Sequence, residues 1–162
     1  MSVTTYEQLD VWKKAHAVVL DVYRITLKFP SDERFGLINQ VRRSAASTPA
    51  NIAEGFRRST KPDKARFYNI ALCSMDETRY HLLLAHDLGY ANTEELRRRA
   101  DEVTRMLSAY TKAIEASERV RKTRNTLIAA AIAGTITAIA ATKASVAAPL
   151  ILAFARCLSV FY

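Results

Sequence analysis

The sequence predicts an all-α protein: an up-and-down antiparallel four-helix bundle with an additional alanine-rich C-terminal helical extension. Three observations predict it. Between Tyr6 and Arg124, apolar residues recur at three- and four-residue steps in four separate segments, and no clear alternating strand pattern interrupts them. The punctuation between these segments is short, so helices adjacent in sequence become antiparallel neighbours. From Asn125 onward acidic residues vanish, and Lys143 and Arg156 are the only strong bases in a stretch dominated by alanine. These features divide the chain into a bundle over 1–124 and an apolar extension over 125–162.

The first helix is expected from Leu9 to Lys28. Trp12, Ala15, Val19, Val22 and Ile25 recur at helical steps, Lys13, Lys14, Asp21 and Arg24 form the polar side, and Phe29-Pro30 stops the pattern. The second begins after Ser31, a suitable N-cap with Asp32 and Glu33 in the first turn, and carries Leu37, Val41, Ala45, Ile52 and Phe56. Pro49 should bend it and Gly55 should weaken it, so tertiary contacts must compensate. The third follows Ser59-Thr60, has Pro62 near its first turn, and reaches about Leu88. Phe67, Ile70, Ala71, Ser74, Thr78 and Leu82 share one face, and Gly89 reads as the stop. The fourth opens with Asn92 or Thr93 as cap and Glu94-Glu95 in its first turn. It then places Leu96, Ala100, Val103, Leu107, Tyr110 and Ile114 inward.

The extension contains an uncharged run of 16 residues, Leu127 to Thr142, and a second of 12, Ala144 to Ala155. Each falls short of the roughly 20 apolar residues that span a bilayer. Three readings are open: an ordered element packing within an oligomer, a tilted membrane helix or hairpin around Lys143, or a tail without function. Arg119, Arg121, Lys122 and Arg124 would suit a cytoplasmic flank, whereas Gly134, Pro149 and the many alanines weigh against insertion.

Composition narrows the function classes. A chain of 162 residues holds one domain with a real core, and a net charge of +8 with a pI near 9.7 suits an anionic partner such as nucleic acid or acidic lipid. Cys73 and Cys157 lie far apart, with neither metal-ligand spacing nor a disulfide framework, and Met1 to Gln8 shows no signal peptide. A reduced, cytoplasmic setting is expected. His16, His81 and His86 form no metal spacing, Ser44 to Ser47 has no oxyanion turn, and the four glycines are scattered rather than gathered into a phosphate loop. The expectation is a non-enzymatic protein with no metal and no cofactor.

Two constellations remain. Asn51 and Glu54 sit three apart in the second helix, with Ser44 and Ser47 one and two turns earlier. That spacing suits a hydrogen-bond network that satisfies the carbonyl freed near Ala45 or braces the third helix. An RNA-binding or acid–base role is the weaker reading, because a carboxylate repels phosphates and no partner acid is evident. The second constellation is basic: Arg42 and Arg43 in the second helix, then Arg57, Arg58, Lys61, Lys64 and Arg66 across the turn into the third. Such a concentration can neutralise phosphates, although the same residues also keep a bundle end soluble. Tyr68 and Tyr80 could stack on bases or anchor the core, and Arg97, Arg98 and Arg99 would extend the basic surface if they faced the same way.

Several motifs in fixed order carry a resemblance: Leu9-x-x-Trp12, Phe29-Pro30 followed by Glu33-x-x-Gly36-Leu37, Gln40-x-x-Arg43, Asn51-Ile52-Ala53-Glu54-Gly55, and Phe67-Tyr68-Asn69-Ile70-Ala71 through Glu77 to Asp87-Leu88-Gly89-Tyr90. From about Tyr6 to Ser117 the chain resembles the four-helix-bundle family encoded within intervening sequences of bacterial large-subunit ribosomal RNA genes. On that resemblance, Trp12, Gln40, Asn51, Glu54, Gly55, Phe67 and Glu77 form a structural signature. It further implies rings, often pentamers, and a similarity to accessory proteins of diversity-generating retroelements, which bind RNA and a reverse transcriptase through a basic ring surface. The chain departs from the family pattern at Cys73-Ser74-Met75, where a small glycine-containing step is usual, at Thr48, where a bulky aliphatic is usual, and in its tail. The functional expectation is an oligomeric bundle that binds structured RNA through the seven basic residues. The alternatives are a scaffold recruiting a reverse transcriptase or other protein, and a membrane-associated assembly anchored by residues 126–160.

Overall fold

The structure, a computed structural model, describes the backbone of residues 3–158 and the side chains of residues 3–135 and Thr137. Its helices are α1 (Asp10–Ile25), α2 (Leu37–Arg57), α3 (Lys61–Asp87) and α4 (Glu94–Leu158). Short 3-10 turns lie at Tyr6–Gln8, Thr26–Lys28 and Ser31–Arg34, and no strand occurs among the described residues. The chain forms two compact units, Met1–Glu118 and Arg119–Tyr162, which divide inside α4.

In the first unit the helices share one core. Val11, Ala15, Val18 and Val22 of α1 meet Val41, Ala45 and Ile52 of α2, Ala71, Met75 and Leu82 of α3, and Ala100, Val103 and Leu107 of α4, all essentially sealed from water. Alanine alternates with larger aliphatics, which lets close-packed helices interdigitate without voids. Trp12 and Ile25 pack against this core half-buried. Two expected inward residues turn outward instead: Ile70 and Tyr110 are each 38% exposed. On α3 the inward stripe runs through Ala71, Ser74, Met75 and Thr78, which leaves Ile70 on the rim.

The start of α2 differs from expectation. Ser31 is not its cap, because residues Ser31–Arg34 close a 3-10 turn of their own behind Pro30 and the helix begins at Leu37. The cap is supplied from outside the helix by Glu33, whose Oε2 accepts the Leu37 N–H at 2.8 Å. A Cβ at position 36 would lie 2.4 Å from that oxygen, so Gly36 makes the cap possible. Oε1 of the same carboxylate accepts the Tyr90 hydroxyl (3.1 Å), and the Tyr90 ring packs on Phe29, 5.7 Å between centroids. The motifs around Phe29, Glu33, Gly36 and Tyr90 thus converge on one joint, with Leu37 and Ala85 beneath it.

The helix ends follow their expected chemistry. Thr60 caps α3, its Oγ1 accepting the Asp63 N–H at 3.3 Å. Gly89, at φ +73°, ends α3. Its N–H bonds the His86 carbonyl (2.9 Å) and the Tyr90 N–H bonds the Ala85 carbonyl (3.0 Å), the paired bonds of a Schellman stop. At α4, the Asn92 side-chain oxygen accepts the Glu94 N–H (3.1 Å), while Thr93 donates to the Leu82 carbonyl (2.7 Å).

A polar seam joins α2 to α3. Ser47 and Ser74 share a hydrogen bond of 2.9 Å, and Asn51 Nδ2 donates to both the carbonyl (2.8 Å) and the hydroxyl (3.0 Å) of Ser47. The Thr78 hydroxyl bonds the Ser44 hydroxyl (3.0 Å) and the Ser74 carbonyl (2.8 Å), and Thr48 donates to the Ala71 carbonyl at 3.4 Å. Interhelical bonds of this kind contribute about 1 kcal/mol each. Here the network braces α3, as one of the two expectations had it. Glu54 takes no part, because it is exposed and paired with Arg58. The helix continues through buried Pro49. One turn beyond the seam, Gly55 meets α3 so closely that a Cβ there would stand 2.8 Å from the Tyr68 ring and 3.1 Å from Phe67 Cβ.

In the second unit α4 continues without a break across the change of composition at Asn125, ending at Leu158. Every described side chain from Arg119 to Thr135 is exposed. Among the described residues no helix is long and apolar enough to cross a membrane. The side chains of Lys143, Pro149, Arg156 and Cys157, on which the packing and insertion readings depend, lie outside the described residues.

Candidate nucleic-acid interface

The turn from α2 into α3 gathers five of the seven predicted cations. Arg57 closes the last turn of α2, Arg58 is its C-cap, and Lys61, Lys64 and Arg66 occupy the first two turns of α3. The local folding explains their spacing. Arg57 and Arg58 complement the negative end of the α2 dipole, and Thr60 with Asp63 starts α3 immediately afterward. Aromatic rings organise the cluster: the guanidiniums of Arg58 and Arg66 lie over Phe67 at 4.5 and 4.6 Å from the ring centroid, and Lys64 Nζ lies 5.7 Å from that of Phe56. Such contacts hold long side chains in place while leaving their charge unneutralised.

The charges are not spent locally. Arg58 pairs with Glu54, but Arg57, Lys61, Lys64 and Arg66 form no ion pair among the described residues. The Arg57 charge acts on the Glu7 carboxyl. That carboxyl is held below its ordinary value chiefly by a hydrogen bond to its own backbone, then by Thr5, with a small contribution from Arg57.

The structure separates the other two predicted cations from this cluster. Arg42 and Arg43 lie fifteen and fourteen residues before Arg57, about 22 Å along the same helix at 1.5 Å per residue. Arg43 is committed to Glu77 (2.7 Å) and to Gln40, which accounts for two signature residues at once. Arg42 Nε donates to Thr26 Oγ1 at 2.8 Å. Arg97, Arg98 and Arg99 do not extend the basic end either. They stand at the start of α4, beyond the far end of α3, about 40 Å of helix away, where Arg98 pairs with Glu95 and Arg99 with Asp21. Tyr68 is a core residue set edge-on to Tyr110 (6.3 Å), and Tyr80 is exposed in the second half of α3, well away from the cluster. The ring-capped arrangement of Phe56 and Phe67 was missed in the sequence. Its signal was the alternation of Phe with Arg and Lys on both sides of the turn.

Elsewhere, titratable groups serve structure. Burial lowers the His81 pKa, and its Nδ1 has no hydrogen-bond partner among the described residues, while Glu77 and Arg43 act on it in opposite directions. The Tyr90 hydroxyl is raised, first by its bond to Glu33 and then by burial. Cys73 is a free, exposed cysteine. Among the described residues no group of three or more His, Cys, Asp or Glu is placed to hold a metal ion.

A family model described as 23S rRNA-intervening sequence protein matches residues 7–109. The chain belongs to that family. The match covers the joint at Glu33, the seam and the basic turn, and it ends before the second unit of this intervening-sequence protein. Among solved structures, it is similar to the crystal structure of a protein of unknown function of the S23 ribosomal protein family from Bacteroides thetaiotaomicron. The identity is 25% and the TM-score 0.58, over 63% of this chain and 98% of that one. No curated protein matches the sequence. Thr48 and Ser74 are both hydrogen-bonded across the α2–α3 seam.

Proposed function

We propose that this intervening-sequence protein is a non-enzymatic, cytoplasmic bundle that binds structured RNA through phosphate contacts at the α2–α3 turn. The observation that carries the reading is the clustering of four cations, Arg57, Lys61, Lys64 and Arg66, at one exposed turn without ion-pair partners among the described residues, while Arg24, Arg43, Arg58, Arg79, Arg98 and Arg99 of the same unit each hold a carboxylate and the likewise unpaired Arg34 and Arg42 lie away from that turn. Arg58 joins them as a partly neutralised neighbour. Arg42 and Arg43 leave the proposed surface, one by distance and the other also by its bond to Glu77. The test is binding of a labelled RNA stem-loop to the full chain at low salt. Replacing Arg57, Lys61, Lys64 and Arg66 together by alanine should remove it with the helical spectrum unchanged, since all four are exposed or half-buried. Unaltered affinity in that variant would defeat the reading.

We also propose assembly into a ring of copies, a pentamer by the family resemblance. Ile70, Tyr80 and Leu83 along the outer side of α3 are exposed apolar surface that such contacts would cover. Sedimentation of the full chain tests it, with a monomer as the contrary result. A scaffold role, recruiting a reverse transcriptase or another protein, is a second reading favoured by the apolar stripe on α1 described next. Anchoring by residues 126–160 is the least supported, given the lack of a membrane-length apolar helix among the described residues.

A further inference from the structure

The groove between α1 and α2 is unused by the RNA reading. Tyr23, Arg34, Phe35, Ile38, Arg42 and the Glu77-paired Arg43 line it; it is an open groove of about 450 Å³, and no acidic side chain contributes to its wall. Two of its properties are unusual together. Its apolar residues face water: Tyr23 is 46% and Phe35 87% exposed, and Leu20 and Leu27, three residues before and four after Tyr23, are exposed as well. Monomeric surfaces seldom leave such residues grouped unless something covers them. Its central cation is held in place before any ligand arrives. The Arg42 guanidinium lies over the Tyr23 ring at 4.7 Å, and its Nε–H is bonded to Thr26 Oγ1, whose hydroxyl is in turn anchored on the Val22 carbonyl at 2.8 Å.

That arrangement leaves the two terminal nitrogens of Arg42 without an ion-pair partner among the described residues, and the same holds for Arg34. A guanidinium fixed at Nε and by stacking presents its remaining edge as a fork suited to a carboxylate. Leu20, Tyr23 and Leu27 step at three and four residues across the end of α1, the spacing that a partner helix meets with its own apolar seam. From these we infer that the groove receives an acidic amphipathic helix of a protein partner, its carboxylate on Arg42 and its apolar side chains on Tyr23, Phe35 and Ile38. A nucleic acid fits this face less well. Ile38 offers no stacking surface, one face of Tyr23 is occupied by Arg42, and a phosphate backbone would leave the apolar wall wet. The inference does not depend on RNA binding at the other end of α2.

The experiment uses a displayed library of random helical peptides selected on the full chain, with Arg42→Gln and Phe35→Ser variants as second baits. Both residues lie outside the core, so the fold is retained, and circular dichroism checks it. The expected outcome is enrichment of acidic peptides with apolar residues at helical spacing, whose affinity falls about tenfold or more in either variant, the effect of losing a charge-assisted bond or a central anchor. No enrichment, enrichment of basic peptides, or affinities indifferent to Arg42→Gln would overturn it. So would two other results: loss of self-association in Phe35→Ser, which would assign the face to a second copy, or loss of stem-loop RNA binding in Arg42→Gln equal to that in Arg57→Ala, which would assign it to RNA.

Discussion

At Gly55 the absence of a side chain decides how close two helices come. Alanine there gains roughly 1 kcal/mol as a helix former. However, its Cβ would meet the Tyr68 ring and the Phe67 backbone-proximal carbon, both in the buried wall of α3. Overpacking of that kind costs about 1–3 kcal/mol. Gly55→Ala should therefore lower the urea midpoint, and a raised midpoint would show that α3 yields freely. The residue was legible as a weak point in a helical pattern, but the cause lies across the seam, in side chains that sequence spacing cannot bring together. His81 gives a second prediction. Its folded pKa is depressed by burial, so below the unfolded value of about 6.5 the unfolded chain takes up the proton first. Stability should fall as pH drops through that value toward the folded pKa, and His81→Gln should flatten this part of the pH profile. An equal slope in the variant would assign the dependence elsewhere.

At the level of elements, the joint at Glu33 shows how local sequence misleads about boundaries. Ser31, Asp32 and Glu33 have the composition of a helix start, and by residue type Ser31 is the natural cap. Pro30 instead closes a separate turn, and the Glu33 side chain reaches forward to the Leu37 N–H through the space that Gly36 leaves open. Loss of such a cap costs about 1 kcal/mol. Gly36→Ala should cost that much in thermal unfolding, Glu33→Ala more because it also loses the Tyr90 bond, and the double variant little more than Glu33→Ala, because both remove the cap. Additive losses would mean the two act independently. By contrast, the stop at Gly89 and the start of α3 after Ser59-Thr60 were readable, since their chemistry is local. The continuation of α4 was not. A drop in charge at Asn125 looks like a boundary, but alanine propagates helix and no stop signal stands there.

For the whole molecule, the sequence carried the four helices and most of their inner faces, because apolar periodicity and antiparallel packing are the same information seen twice. It could not sort the cations. Seven basic residues close in sequence became five at one end and two about 22 Å away along α2, and only the fold shows which already hold a carboxylate. Net charge is therefore a poor guide to a binding surface here, and unpaired charge a better one. The central claim is that phosphate contacts are made at the α2–α3 turn. The salt dependence of stem-loop RNA affinity tests it most directly, measured for the full chain, for Arg57→Ala/Lys61→Ala, and for Arg98→Ala at the start of α4. Each lost phosphate contact lowers the slope of log affinity against log salt by about 1. The account predicts a slope reduced by about 2 in the double variant and unchanged in Arg98→Ala. Equal slopes in all three proteins, or no binding at low salt, would contradict it.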